Sequence, residues 1–146
     1  MENREGLIWF DGEFVDWKDA NIHILNHGLH YASSVFEGER SYSGKIFKVK
    51  EHTERLFESA KALDLKIPYS IEEIIDASYK AIKLNNLTDA YIRPIVWRGS
   101  EMGVSAPNAK VHCAIAVWEW PSYFTPEEIL KGIKVTLSEW KRPSPE

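Results

Sequence analysis

The chain has 146 residues, the size of one domain, and its 44% hydrophobic and 12% aromatic content is enough for a packed core and too much for an unfolded polymer. The formal charge is −4 with both signs interspersed and no basic run, which argues against nucleic acid or an anionic membrane as a partner. Cys113 is the single cysteine and excludes an intrachain disulfide; with no signal-type start and no apolar run of spanning length, the chain reads as a soluble cytoplasmic protein.

Leu7-Ile-Trp-Phe10 and Glu13-Phe-Val-Asp16 are strand-like, and Asp11-Gly12 between them suits a two-residue turn, so a β-hairpin is expected. Residues 22–42 read as irregular, dense in polar aromatics and glycine. Residues 45–49 read as a strand. A helix is expected over 51–63, with Leu56, Ala60 and Leu63 on one face and Phe57 beside it. After Pro68 a second helix starts at Ser70, with Glu73 completing a capping box and Ile71, Ile74, Ile75 and Ile82 forming the apolar face. Asn85-Asn86 is a plausible stop. Residues 90–98 and 111–118 are strands; Pro94 in the first implies an edge position or a bulge. Val111, Ala114 and Ile115 around Cys113 make the second a buried one. Thr125-Pro126-Glu127-Glu128 opens a short helix that ends near Gly132, and 133–140 reads as a last strand.

The order of these elements gives an α+β fold: a two-layer sandwich with a mostly antiparallel sheet and two main helices on one side. Residues 1–124 read as a small N-terminal domain. In residues 125–146, Ile133, Val135, Leu137 and Trp140 need partners: either their strand belongs to the first domain, or the segment is a linker and the truncated start of a second domain.

Several side chains invite chemistry. Tyr91 and Arg93 are two apart on a strand and so share a face, where a phenol and a guanidinium suit a carboxylate; the plainer reading is a cross-strand Arg–Glu pair with Tyr91 in the core. Arg55 offers a planar fork for phosphate oxygens, or a surface helix pair with Glu51 or Glu58. His23, His27 and His30 have metal-like spacing, yet no cysteine or acidic cluster completes a site, so no metal is expected. Ser33 and Ser34 lack a G-x-S-x-G elbow, and no Rossmann or Walker glycine loop is present.

The segment His27-Gly-Leu-His-Tyr-Ala-Ser-Ser-Val-Phe-Glu-Gly-Glu-Arg-Ser-Tyr42 resembles the signature of fold-type IV pyridoxal phosphate enzymes. Its pattern H-x-L-H-Y-x-x-S-V-F-E-G-x-R-x-Y is the branched-chain amino acid aminotransferase form. Glu51-His-Thr-Glu-Arg55-Leu, Ala90-Tyr-Ile-Arg-Pro94, Met102-Gly-Val104 and Trp120-Pro-Ser-Tyr123 resemble further motifs of that family, in the same order along the chain. The resemblance implies the family's N-terminal small domain, pyridoxal 5′-phosphate as cofactor, and amino-group transfer between leucine, isoleucine or valine and 2-oxoglutarate or glutamate. It implies that Arg55 holds the cofactor phosphate and that Tyr91 and Arg93 meet the carboxylate of the acidic cosubstrate, the three converging on one cavity. Tyr31 and Phe36 would wall an apolar side-chain pocket in which Gly38 leaves room for substrate, with Arg40 beside them. The loop of Met102 and Val104 would reach the neighbouring subunit's site in a homodimer or higher homo-oligomer, and Tyr123 would line the pocket near the domain junction. In the family the cofactor's lysine follows a segment resembling Ser138-Glu-Trp-Lys-Arg142-Pro. The chain ends first, so none of its lysines is assigned that role. The 146 residues alone are therefore expected to be inactive and without bound cofactor. Within the same fold, D-amino acid transaminase and aminodeoxychorismate lyase are the alternatives; outside it, a non-catalytic self-associating domain.

Overall fold

The computed structural model describes residues 4–144. β1 (Leu7–Phe10) and β2 (Glu13–Asp16) form the expected hairpin. Asp11 and Gly12 at its tip have φ of 49° and 100°, the positive values a tight primed turn needs. β1 then pairs with β7 (Val111–Trp118), which pairs along its whole length with β6 (Ala90–Arg98). The other side of β6 receives β3 (Ser34–Phe36) and β4 (Glu39–Tyr42), and β5 (Lys45–Ile46) closes that edge. All described pairings are antiparallel, in a seven-stranded sheet of order β2-β1-β7-β6-β4-β5.

Residues 22–42 are not irregular. They contain α1 (His27–Tyr31), capped by the Asn26 side chain accepting from the Gly28 N–H and ended by Ala32 at φ 53°. They also contain β3 and β4, which are two halves of one strand. Phe36 lies opposite Ile95 and Glu39 opposite Ile92, so the register runs on unbroken and places Glu37 opposite Pro94 and Gly38 opposite Arg93. Glu37 N–H donates to the Pro94 carbonyl at 3.0 Å, but Pro94 has no N–H to return. The ladder therefore lapses for two residues. Pro94 sits in a central strand, neither at an edge nor at a bulge as expected.

Two helices cover one face. α2 (Val49–Ala62) and α3 (Ile71–Leu84) lay Leu56, Ala60, Ile74, Ala77, Ala81 and Ile82 against Ile92, Val96, Cys113, Ile115 and Val117. The start of α2 takes in Val49, so the expected strand over 45–49 shrinks to β5. Leu63, expected on the buried face, is 41% exposed just past the last turn; Leu65 fills the core instead. The capping box of α3 forms as expected, with Glu73 N–H donating to Ser70 Oγ and Ser70 N–H to Glu73 Oε2.

The opposite face of β6 presents Tyr91, Arg93, Ile95 and Trp97. Neighbouring strands extend it as an aromatic layer: Trp118 lies 5.0 Å from Tyr91, and Trp97 lies 5.4 Å from Phe10 and stacks on His112. The five-residue α1 packs there. A capping box at Thr125 starts α4 (Pro126–Lys131), again as expected. The strand expected over 133–140 does not form: Leu137 and Trp140 are 98% and 92% exposed, and no strand among the described residues pairs with them. No helix among the described residues is long and apolar enough to cross a membrane.

Candidate active site

The lapse in the ladder at Glu37–Gly38 organises the site, because alternation sends successive side chains to opposite faces. Gly38 and Arg40 take the open face, as do Tyr91 and Arg93 across from them. Arg93 Nη2 donates to Tyr91 Oη at 2.5 Å, and its guanidinium carbon lies 4.1 Å from the centre of the Phe36 ring. Among the described residues the buried Nε of Arg93 has no partner. A side chain at 38 would place its Cβ 2.5 Å from Tyr91 Oη, so only glycine leaves the phenol where it is. Beside this pair lies a hollow of about 590 Å³, lined by Arg40, Tyr91, Arg93, Trp120, Tyr123 and Phe124. Arg40 Nη2 fixes its far wall by donating to the Trp120 carbonyl at 2.9 Å. Two guanidiniums at an aromatic hollow can hold an acid with an apolar body.

Glu37 and Glu39 take the helix side. Glu37 is 5% exposed and receives Arg55 Nε and Nη2, each at 2.6 Å, and His52 Nδ1 at 2.8 Å. Burial alone would raise the Glu37 carboxyl, but the bonds from Arg55 and His52 outweigh it and hold the group below the usual carboxylate range. Glu39 is 2% exposed and neither carboxylate oxygen has a partner among the described residues. Burial, and then repulsion from Glu37, push it up to about 8.

Arg55, Tyr91 and Arg93 therefore do not share one cavity as expected. Tyr91 and Arg93 line the hollow; Arg55 lies on the helix side of the same interruption, paired with Glu37. Neither Glu51 nor Glu58 takes it, and Glu51 pairs with Lys48.

Tyr31, Met102 and Val104 form a third group outside the hollow. Tyr31 Oη donates to the Met102 carbonyl at 3.2 Å, and Val104 is 81% exposed. His27 ties the same loop to α1: Nε2–H donates to the Gly103 carbonyl at 3.1 Å, leaving Nδ1 to accept from Ser33 Oγ at 2.6 Å. His23 Nδ1 accepts from Leu25 N–H and His30 Nε2 donates to the Ile24 carbonyl, so the three histidines turn to separate local partners. Among the described residues no three His, Cys, Asp or Glu side chains are grouped to hold a metal.

Glu37, Glu39, His52 and Trp120 escaped notice in the sequence as contributors here. His52 and Arg55, three apart on a helix, were the one local signal that two side-chain nitrogen donors share a face. A groove of about 490 Å³ at the far end of α2, lined by Phe57, Lys61, Leu65 and their neighbours, gathers no such convergent groups.

An antiparallel sheet backed by two helices, with an aromatic open face and an arginine on either side of a broken strand, defines a domain of one known class. Residues 34–146 match the model of the amino-transferase class IV family, and the chain belongs to it. It is 48% identical to the branched-chain-amino-acid aminotransferase of Pseudomonas aeruginosa, over 97% of this chain and 48% of that one. The solved branched-chain amino acid aminotransferase of Escherichia coli superposes with a TM-score of 0.82 at 38% identity, over 97% of this chain and 47% of that one. That of Thermoproteus uzoniensis, solved with norvaline, gives 0.77 at 31% identity, over 82% and 42%. The chain spans about half the length of the curated relatives it matches.

Proposed function

We propose that the protein carrying this chain is a pyridoxal 5′-phosphate-dependent aminotransferase that moves the amino group between leucine, isoleucine or valine and 2-oxoglutarate. The observation that supports it most is the Tyr91–Arg93 pair held under Gly38 at the edge of the aromatic hollow. Such a site needs one anchor for a carboxylate and apolar walls for a branched side chain.

The residues present fit the phosphorylated cofactor. Arg55 is 61% exposed, and its Nη1 has no partner among the described residues, so the guanidinium keeps a donor edge free for phosphate. Pyridoxal phosphate would supply the electron sink that makes the substrate's α-proton removable. Tyr91 and Arg93 would orient the carboxylate of glutamate or 2-oxoglutarate. Phe36, Trp120 and Tyr123 would exclude water and accept an aliphatic side chain. Arg40 would hold the Trp120 segment in place. Tyr31, Met102 and Val104, on the exposed loop cluster, would serve the site of a second subunit in a homodimer or larger homo-oligomer. We assign residues 1–124 to the small domain and 125–146 to the linker and opening of the next, whose exposed Val135, Leu137 and Trp140 await partners. The buried free thiol of Cys113 suits a reducing cytoplasm.

The test is a substrate panel on the full-length protein with pyridoxal phosphate, reading glutamate formed from 2-oxoglutarate. Leucine, isoleucine or valine is expected to exceed D-alanine and L-alanine by about tenfold or more in kcat/KM, the discrimination that a shaped apolar pocket gives for a few methylenes. Faster turnover of D-alanine, or pyruvate release from aminodeoxychorismate, would reassign it to those enzymes; no turnover of any would favour a non-catalytic domain.

A further inference from the structure

Arg55 reaches Glu37 from a helix, and more than half of its side chain is exposed. An exposed arginine explores many rotamers, and holding it still for a ligand has an entropic cost. Here that cost is met before any ligand arrives. Glu37 is almost wholly buried, opposite Pro94 in the lapsed part of the ladder, so its backbone cannot shift without disturbing β6. One carboxylate oxygen takes Nε and the other takes Nη2, a side-on grip of two bonds that fixes both the place and the plane of the guanidinium. His52 Nδ1–H donates to the Nη2-side oxygen and steadies the carboxylate in turn. Nη1 faces away from this grip.

We propose that Glu37 is a positioning residue: its carboxylate clasps one edge of Arg55 and thereby presents the Nη1 edge to the phosphate of a phosphorylated ligand. The inference rests on the assignment of Arg55 to phosphate and adds the group that makes Arg55 effective.

Charge alone predicts the opposite. Glu37 is an anion near the site of a dianion, so removing its charge should tighten phosphate binding if Glu37 acts only through its field. A positioning role predicts weaker binding, because the freed guanidinium must be ordered by the ligand itself. The sign of the change separates the two.

The probes are pyridoxamine 5′-phosphate and pyridoxamine, which differ only in the phosphate and form no bond to the protein. Their Kd values are measured on the full-length protein by fluorescence quenching, and the ratio of the two reads the phosphate contribution. Glu37→Gln is expected to shrink that ratio by about tenfold, with pyridoxamine itself little changed. Glu37→Asp, which keeps the charge and withdraws the carboxylate by one methylene, is expected to shrink it too, and supplies the reading should the Gln variant fail to fold. On an Arg55→Lys background, where no fork remains to be clasped, Glu37→Gln is expected to add nothing. An unchanged or enlarged ratio in the Glu37 variants, while Arg55→Ala abolishes the phosphate preference, would overturn the positioning role alone. A ratio that survives Arg55→Ala would overturn the phosphate assignment beneath it.

Discussion

Glu39 carries a burden that its neighbours do not relieve. It lies one pleat from Glu37 on the helix side of β4, buried, with both oxygens unpartnered among the described residues. A carboxyl in that position stays protonated at neutral pH, held up to about 8 by burial and by the Glu37 charge. The folded chain then binds this proton more tightly than the unfolded chain does. Stability contributed by the neutral form is complete below the ordinary carboxyl value and is lost as pH rises through about 8, with a ceiling of roughly 5 kcal/mol. Glu39→Met keeps the volume and removes the titration. Its melting temperature should match or exceed the wild type near pH 5, and the gap should widen by several degrees toward pH 9. Parallel melting curves over that range would show that Glu39 finds a partner the folded chain does not display. Cys113, by contrast, is inert: burial, then the nearby Asp11, push its thiol up to about 12.

At the scale of elements, the caps and the periodic runs were readable because their signals are local. The hairpin, β6, β7 and the start of α3 fall where the residues place them. The cap of α3 is worth testing directly, since Ser70 and Glu73 each satisfy an otherwise free N–H of the first turn. Ser70→Ala should cost about 1 kcal/mol in urea unfolding and speed amide exchange in the first turn of α3; no change in either would mean the helix is held by its packing alone. What the sequence hid was the strand made of β3 and β4. Its two halves are three and four residues long, and the alternation between them is masked by Glu37 and Gly38, which belong to the same strand yet make no full ladder. The cause is Pro94, a residue nearly sixty positions away, so nothing local could reveal it. The ion-pair partner of Arg55 was hidden for the same reason. Its helical neighbours Glu51 and Glu58 were the visible candidates, whereas Glu37 arrives through sheet register. The run over 133–140 shows the converse, alternation without a neighbouring strand to make it one.

The whole molecule presents one face closed by α2 and α3 and one face left as an aromatic floor. Trp118, Tyr91, Trp120 and Tyr123 form a connected chain of ring contacts across it, and the Tyr91–Arg93 pair stands at its edge. Such a floor suits a cleft whose other wall comes from elsewhere, with Arg55 and Glu37 approaching from behind the broken strand. Under the proposed function, Arg93, steadied by Tyr91 and Phe36, anchors the acidic cosubstrate. The most direct measurement is steady-state kinetics of Arg93→Gln in the full-length protein, comparing KM for 2-oxoglutarate with KM for 4-methyl-2-oxopentanoate, which lacks the second carboxylate. The expected result is a rise of about a hundredfold for 2-oxoglutarate, with the branched keto acid changed far less, since a lost charge-assisted pair to one carboxylate is worth about 1.5–3 kcal/mol. An equal rise for both acids, or none for either, would contradict the assignment and leave Arg93 as a support for the aromatic floor.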